Sequence, residues 1–451
     1  MTNGMWMSGV LGLSSVLCSP VAAQVAVAGT GPNGVDARIA ALEAQIAQLR
    51  SESASWLNSE QAQALVREAL ADSEARSALR RNGALAGYRE GQGFFLSNED
   101  GTFDATFYGY AMFRGVFNNK DADDESTFGF ENSVTKFGAF GHAGSPDLTY
   151  RMQVAFDPAT GAAVLDDFFA SWRLGEGWAW SWGQVKAPFI REQTMSDHVQ
   201  LPVDRSYVTA LTSIGRVQGT WLSYESETVR LWLQFSDGNR IPSLAAPHVQ
   251  GRNTPFDVDG VEWAMTARAE VILAGTTWKQ FNDFTSWSTD EFGALVGGAI
   301  HWQDGEYGSP AFPEETEVLT WTLDTMIEFG AANLSAWAVG VHTNPNAAAA
   351  AEFDQFGFVV QGGVHLVPDK FEIFGRYEWF DFDNFASLDD LSIVTAGFNY
   401  YFRRNGWKWT TDVVFALDRV PTSVGFTGLL ADGASEEDQV VVRTQMQVAI
   451  P

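Results

Sequence analysis

From Gly93 onward the chain alternates apolar and polar residues in one long segment after another, and this period of two constrains the fold more than any other feature. In FDATFYGYAMFRGVF, Phe103, Ala105, Phe107, Gly109, Ala111 and Phe113 share one parity, and Asp104, Thr106, Tyr108, Tyr110 and Arg114 take the other. LTYRMQVAFD repeats the split, with Leu148, Tyr150, Met152 and Val154 against Thr149, Arg151 and Gln153. The last segment does the same, with Val442, Met446, Val448 and Ile450 opposing Arg443, Gln445 and Gln447. Each such strand has an oily face and a wet face. Many of the segments exceed the roughly 5–6 residues usual in soluble sheets and suit tilted strands that cross a bilayer, which need about 9–11. Beyond the first two dozen residues no stretch approaches the roughly 18 apolar residues of a spanning helix. If the chain enters a membrane, it does so as strands.

The connections alternate in size. Short turns (HAGSPD, LGEGW, YESE, FGAAN, VPDK, RRNGW) are interleaved with long ones such as NNKDADDEST and the stretches 237–258, 303–315 and 419–438. Short turns on one rim and long loops on the other predict a closed, antiparallel transmembrane β-barrel of about sixteen strands with both ends on the short-turn side. Closure also leaves no strand edge to aggregate. One connection, AGTTWKQFNDFTSWST, is too long for its place: either a strand boundary slips there or a short turn carries an insertion.

The third long loop, 188–215, is irregular and charged, and such a segment is tolerated at membrane depth only where it lines a water-filled lumen. It is expected to fold inward and narrow a pore, with Pro188 ending the strand ladder and Pro202 keeping the loop out of the sheet. Its charged residues Arg191, Glu192, Asp197, Asp204 and Arg205, with Lys186 at the strand end just before it, are the candidates for the constriction. By parity Arg114, Arg151, Arg216, Arg230, Arg268, Arg376, Arg443, Glu262, Glu270, Asp324 and Glu372 are candidates for the pore wall. Trp178, Trp180 and Trp182 share the parity of Lys186, which would place three indoles in the pore. A bulge near Gly183 would switch that parity and move them to an interfacial girdle, the arrangement expected in a barrel.

Ahead of the barrel, MWMSGVLGLSSVLCSPVAAQ reads as an export signal over residues 1–23, and it contains the only cysteine, Cys18. Val35, Ile39, Leu42, Ile46 and Leu49 alternate spacings of four and three, a heptad seam that predicts an α-helical coiled-coil stalk within a periplasmic segment 24–92. The barrel domain is expected over 93–451.

GQVKAPF at 183–189, VDRS at 203–206, TKFGAFGHAGSPDLTYRMQ and DDFFASWRL together resemble the phosphate-selective porin O and P family of outer-membrane porins. The resemblance implies a homotrimer of sixteen-stranded channels in outer-membrane lipid, constricted by the third loop with Lys186 and Arg191 near the narrowest point. Two features depart from the family. The net charge is −28, and its surplus sits in loop runs such as DADDES, PEETE, DFDNF and ASEEDQ, which would concentrate cations at the mouth. The end, QMQVAIP, lacks the terminal aromatic residue usual in such barrels. The functional expectation is a water-filled channel for passive diffusion of small hydrophilic solutes and ions, with weak or cationic preference. The alternatives are an anion- or phosphate-selective porin, and an envelope-anchoring protein whose stalk contacts the cell wall.

No catalytic pattern is visible. The six histidines are scattered without ligand spacing, there is no phosphate loop or nucleophile elbow, and DADDE lacks the glycine and spacing of a calcium loop. The sequence therefore predicts no enzyme, no cofactor and no metal, and its acidity argues against nucleic acid.

Overall fold

The computed structural model describes residues 42–48, 84–89, 92–120, 125–238, 261–275, 277–306, 315–345, 352–382, 390–421, 427–432 and 438–450. The export segment and most of the heptad seam lie outside the described residues. Two compact units divide the chain, 1–78 and 79–451. In the first, residues 42–48 form a helix, α1, on which Leu42 and Ile46 of the expected seam are exposed; no partner helix is present among the described residues, so the coiled coil has no support.

The second unit is a sheet. Its strands are β1 (Ala84–Arg89), β2 (Gly93–Asn98), β3 (Phe103–Lys120), β4 (Glu125–Ala143), β5 (Ser145–Phe156), β6 (Ala163–Gly175), β7 (Trp178–Lys186), β8 (Arg216–Glu225) and β9 (Val229–Ser236). They continue as β10 (Val261–Ala274), β11 (Gly293–Glu306), β12 (Glu315–Glu328), β13 (Ala332–Pro345), β14 (Phe353–Val367), β15 (Phe371–Asp381), β16 (Leu391–Arg403), β17 (Trp407–Ala416) and β18 (Gln439–Ile450). Each strand from β3 to β18 pairs antiparallel with the next, and β18 pairs back to β3 from Gln439↔Lys120 to Ile450↔Gly109. The result is a closed barrel of sixteen strands, as the alternation predicts.

Strand structure begins earlier than Gly93. β1 and β2 form a hairpin, and β2 pairs with the same edge of β3 over residues 104–107, immediately beyond the place where β18 stops. The chain's two ends thus share one edge, with the hairpin continuing the wall past Ile450.

The period of two becomes a physical division. On β14 and β15 buried and exposed residues alternate almost without break, Glu372, Phe374, Arg376 and Glu378 facing in, while Ile373 and Tyr377 face out. Two bulges reset this alternation near the pore. Between β5 and β6 the register steps from Gln153↔Asp167 to Val154↔Leu165, so Asp166 is extra and both aspartates are buried inside. On β7 the buried residues Ser181 and Gln184 are three apart, and Gly183 between them has φ 131°. Trp178, Trp180 and Trp182 therefore face outward with Trp172 and Leu222, near the short-turn rim, as a girdle would.

A side chain at Gly183 has no room, since a Cβ there would lie 2.2 Å from the Phe168 carbonyl oxygen, and the backbone conformation favours glycine. Gly183→Val is expected to disrupt β6–β7 pairing and lower the yield of folded barrel severalfold. Heat-modifiable migration on gels, comparing folded and unfolded bands, measures this.

Candidate pore and constriction

Residues 187–215, between β7 and β8, run inside the barrel as the inward loop. Two short helices shape it, α2 (Arg191–Thr194) and α3 (Tyr207–Thr212), the latter capped by the Ser206 hydroxyl accepting from the Thr209 N–H. Phe189, Ile190, Tyr207, Val208, Leu211 and Ile214 are buried in one apolar cluster with wall residues including Val339, Val359, Phe380, Ile393 and Val414. Polar contacts fix the loop to the same half of the wall. Trp337 Nε1 donates to Thr209 Oγ1 (3.1 Å), Val208 N to Glu378 (3.2 Å), Val203 N to Asp412 (2.9 Å), and Lys408 Nζ to the Gln200 carbonyl (2.7 Å). The loop therefore lies against β13–β18.

Its tip is tied to the opposite half by a chain of alternating charges. Arg205 pairs with Asp197 (2.5 Å), Asp197 with Lys136 (2.8 Å), Lys136 with Asp166 (2.8 Å), and Arg216 with both Asp166 and Asp167 (2.7 Å each). Tyr110 donates its hydroxyl to Asp197 as well (2.9 Å). Burial would push the Asp197 carboxyl up, but Lys136, Arg205 and Lys186 outweigh it and hold the group well below the usual carboxylate range. The neighbouring His198 is pulled down to about 4 by burial and stays neutral at pH 7.

A second segment enters from the other rim. The connection between β10 and β11, the one too long for its place in the sequence, is an insertion: its Trp278, Phe281 and Phe284 are buried with Met195 and Leu201 of the inward loop and with Ile272, Leu295, Met326 and Phe374 of the wall. The two segments bond directly, Arg191 Nη2 to the Phe281 carbonyl (2.5 Å) and Phe284 N to the Val199 carbonyl (3.4 Å). Asp283 anchors the insertion by accepting from Thr285 N (2.9 Å), Trp287 Nε1 (3.2 Å) and Asn405 Nδ2 (3.0 Å).

Burial raises the Asp283 carboxyl to about 6. A carboxyl raised in the folded state stabilises the fold below its ordinary value, near 4, and this contribution is lost as pH rises through about 6. The insertion is thus expected to dock most firmly at acid pH, giving fewer open-channel fluctuations at pH 4 than at pH 7. Asp283→Asn should flatten its share of that dependence in single-channel records.

A cavity of about 400 Å³ lies between the inward loop and the wall of β5–β10. Six basic side chains line it, Arg151, Lys186, Arg191, Arg216, Arg230 and Arg268, against two carboxylates, Asp167 and Glu270. Most of the cations are neutralised. Arg191 and Arg268 share Glu270 (2.7 and 2.8 Å), Arg268 also pairs with Asp324 (2.8 Å), Arg216 holds the two aspartates, and Arg230 pairs with Glu225 (2.8 Å) while stacking on Trp278. Arg151 and Lys186 differ. Arg151 donates to the Tyr108 hydroxyl (3.1 Å) and stacks on its ring, and Lys186 donates to the carbonyls of Gln193 (2.7 Å) and Met195 (3.0 Å). Neither has a carboxylate at ion-pair distance among the described residues, so the local surplus is positive.

Seven of the residues expected from the sequence meet at this cavity: Lys186, Arg191, Arg151, Arg216, Arg230, Arg268 and Glu270, with Asp324 behind Arg268. Others are sealed away from it because the loop lies on them. Arg114 is 1% exposed, paired to Glu131 and Asp204; Arg376 donates to the Asp204 carbonyl; Arg443 is paired with Asp412; Glu372 accepts from Tyr401 and Asn399. Glu192 is likewise internal, accepting from the Ser206 N–H and hydroxyl, so Glu192, Asp197, Asp204 and Arg205 brace the loop. Glu262 lies on β10 with its side chain outside the described set. Sequence reasoning missed the roles of Lys136, Asp166, Asp167 and Tyr110. The signal available was the doubled aspartate opening DDFF, where strict alternation cannot hold.

No family model matches the chain, so the narrower likeness to phosphate-selective porins gains nothing from that side. An uncharacterized protein of Aquifex aeolicus is 24% identical over 308 residues, 65% of this chain and 68% of that one. Among solved structures, the anion-selective porin from Comamonas acidovorans superposes with a TM-score of 0.56 at 13% identity, covering 76% of this chain and 99% of that one. The outer membrane channel DcaP of Acinetobacter baumannii gives 0.51 at 13% identity, covering 80% and 100%. At these identities the likeness speaks for architecture: the chain has the closed sixteen-stranded fold found in outer-membrane porins.

Proposed function

We propose that the chain is an outer-membrane channel for passive diffusion of small hydrophilic solutes and ions, assembled as a homotrimer, with its pore narrowed by the inward loop and its selectivity tilted toward anions. The observation that carries the reading is the positive surplus at the cavity, where Arg151 and Lys186 have no carboxylate at ion-pair distance among the described residues. It supports the anion-preferring alternative over the cationic preference that the total charge of −28 suggests. Charge on distant loops is screened over a Debye length of about 8 Å in physiological salt, whereas charge at a narrow, low-dielectric passage acts on every ion that crosses. The sealed, ion-paired remainder of the wall supports a rigid constriction.

Purified protein in planar bilayers tests this. A tenfold potassium chloride gradient should give conducting steps and a reversal potential with the sign of chloride preference. Absence of conductance would refute the channel, and a potassium-side reversal potential would refute the selectivity.

A further inference from the structure

On β4–β6 the wet face of the sheet carries rings where alternation calls for polar residues. Cross-strand pairing sets Thr106, Phe140, Arg151 and Phe169 side by side in one row over β3–β6. The row faces the lumen, because Tyr110 on β3 and Lys136 on β4, of the same parity, both bond Asp197 of the inward loop. A guanidinium thus stands between two phenyl rings. All three side chains are accessible: Phe140 is 40% exposed, and Arg151 and Phe169 are half-buried. With Arg173 they line a cavity of about 450 Å³ at the short-turn rim, and no carboxylate lines it. Arg151 and Phe169 also line the cavity at the constriction, so the two spaces adjoin. Tyr108 holds the guanidinium in place. Arg151 Nε donates to the Tyr108 hydroxyl (3.1 Å), that hydroxyl donates to Gln153 Oε1 (3.0 Å), and the Tyr108 ring lies 6.0 Å from that of Phe140. With Nε engaged, the two terminal nitrogens have no partner among the described residues, and they form the edge that takes both oxygens of a carboxylate.

We infer that this row is a binding site for aromatic carboxylates, with the carboxylate on Arg151 and the ring seated between Phe140 and Phe169. The inference rests on the channel reading above and names the class of anion held at the short-turn mouth. Neighbouring strands lie about 4.8 Å apart, so each phenyl stands one step from the guanidinium and the two are about 10 Å from each other. A ring between them meets both within the roughly 4.5–7 Å at which aromatic pairs attract. Phenyl faces left open to water contribute nothing to the fold, and a bound ring would cover them. Chloride and aliphatic carboxylates meet the charge alone.

The test uses the full-length protein in planar bilayers in potassium chloride at pH 7, with benzoate, cyclohexanecarboxylate and benzamide as probes. The first two share charge and approximate size and differ in the aromatic face, and benzamide keeps the ring without the charge. Benzoate should reduce the current with a half-blocking concentration about threefold or more below that of cyclohexanecarboxylate. Benzamide should need about tenfold more than benzoate, since it lacks the charge-assisted pair with Arg151. Phe140→Leu and Phe169→Leu keep an apolar side chain and remove the ring, and each should cut the preference for benzoate over cyclohexanecarboxylate by about twofold or more. Both anions are compared in the same channel, so a change in conductance does not enter the ratio. Should one variant fail to assemble, the other decides. A parent channel that treats the two anions alike, or a preference unchanged in the variants, overturns the site. Failure of the channel reading shows separately, as no conductance in potassium chloride alone. In that case calorimetric titration of the detergent-solubilised protein with benzoate still decides: saturable binding weakened in the ring variants supports the site, and no binding overturns it.

Discussion

Arg151→Gln combined with Lys186→Gln is expected to abolish the anion preference of the channel. Glutamine at 186 keeps an N–H donor for the Gln193 and Met195 carbonyls, so the inward loop retains its seat while the charge disappears. A unit charge about 5 Å from an ion in water contributes roughly 0.8 kcal/mol, about fourfold in the local concentration of one sign. The anion-to-cation ratio changes by the square of that factor for each charge. Allowing for screening, the double variant should lower the chloride-to-potassium permeability ratio by about tenfold or more. Arg216→Gln, by contrast, should reduce folding before it reports on selectivity, because it would take the ion-pair partner from buried Asp167 and leave Asp166 with Lys136 alone. Reversal potentials of the parent, each single variant and the double variant measure the effect. Equal ratios in all four would show that ions do not pass these two side chains.

The second large effect concerns the charge chain that ties down the loop tip. Lys136→Met removes the link between Asp197 and Asp166, the latter 0% exposed. Breaking a buried ion pair from one side costs about 3–5 kcal/mol, because the surviving charge is left without its partner. Arg205 and Arg216 still face the two aspartates, which places the expected loss near 3 kcal/mol, the low end of that range. The barrel should lose its folded gel mobility at a clearly lower temperature, and single-channel records should become noisy as the loop tip loosens. Replacing Asp166 by Asn in the same chain should recover part of the loss, since Arg216 then balances Asp167 alone instead of two carboxylates. An unchanged melting temperature together with quiet channels would mean that the apolar contacts of Phe189, Val208 and Leu211 hold the loop unaided.

How much of this was legible in the sequence follows from the range of each interaction. Period-two alternation is local, so strand number, closure and the inward direction of an irregular third loop could all be read directly. The Trp178, Trp180 and Trp182 girdle could also be read, through the glycine that makes the bulge possible. Which half of the lumen the loop would occupy could not. That depends on contacts such as Val203 N to Asp412, 209 residues apart, and nothing local encodes them. For the same reason Arg114, Arg376 and Arg443 have the right parity for a pore wall and yet lie sealed beneath the loop or in ion pairs away from the cavity. The insertion after β10 was visible as a broken rhythm, but its inward turn rests on Phe281 and Phe284 meeting Met195 and Leu201. Net charge sums over the molecule, whereas the proposed selectivity depends on the few groups beside the path, so the two readings part at Arg151 and Lys186 and the reversal potential decides between them.

The location of that path is the claim on which the rest depends, and thiol scanning tests it most directly. The chain has one cysteine, Cys18, which precedes the barrel, so a cysteine introduced in the wall is the only thiol there. Gln153 lines the cavity between the loop and β5–β10, whereas Ser335 is a buried residue of β13, two positions from Trp337, which bonds Thr209 of the loop. A membrane-impermeant methanethiosulfonate reagent should cut the conductance of Gln153→Cys within seconds and leave that of Ser335→Cys unchanged. Block of Ser335→Cys with no effect on Gln153→Cys would place the solute path behind the loop and contradict the account.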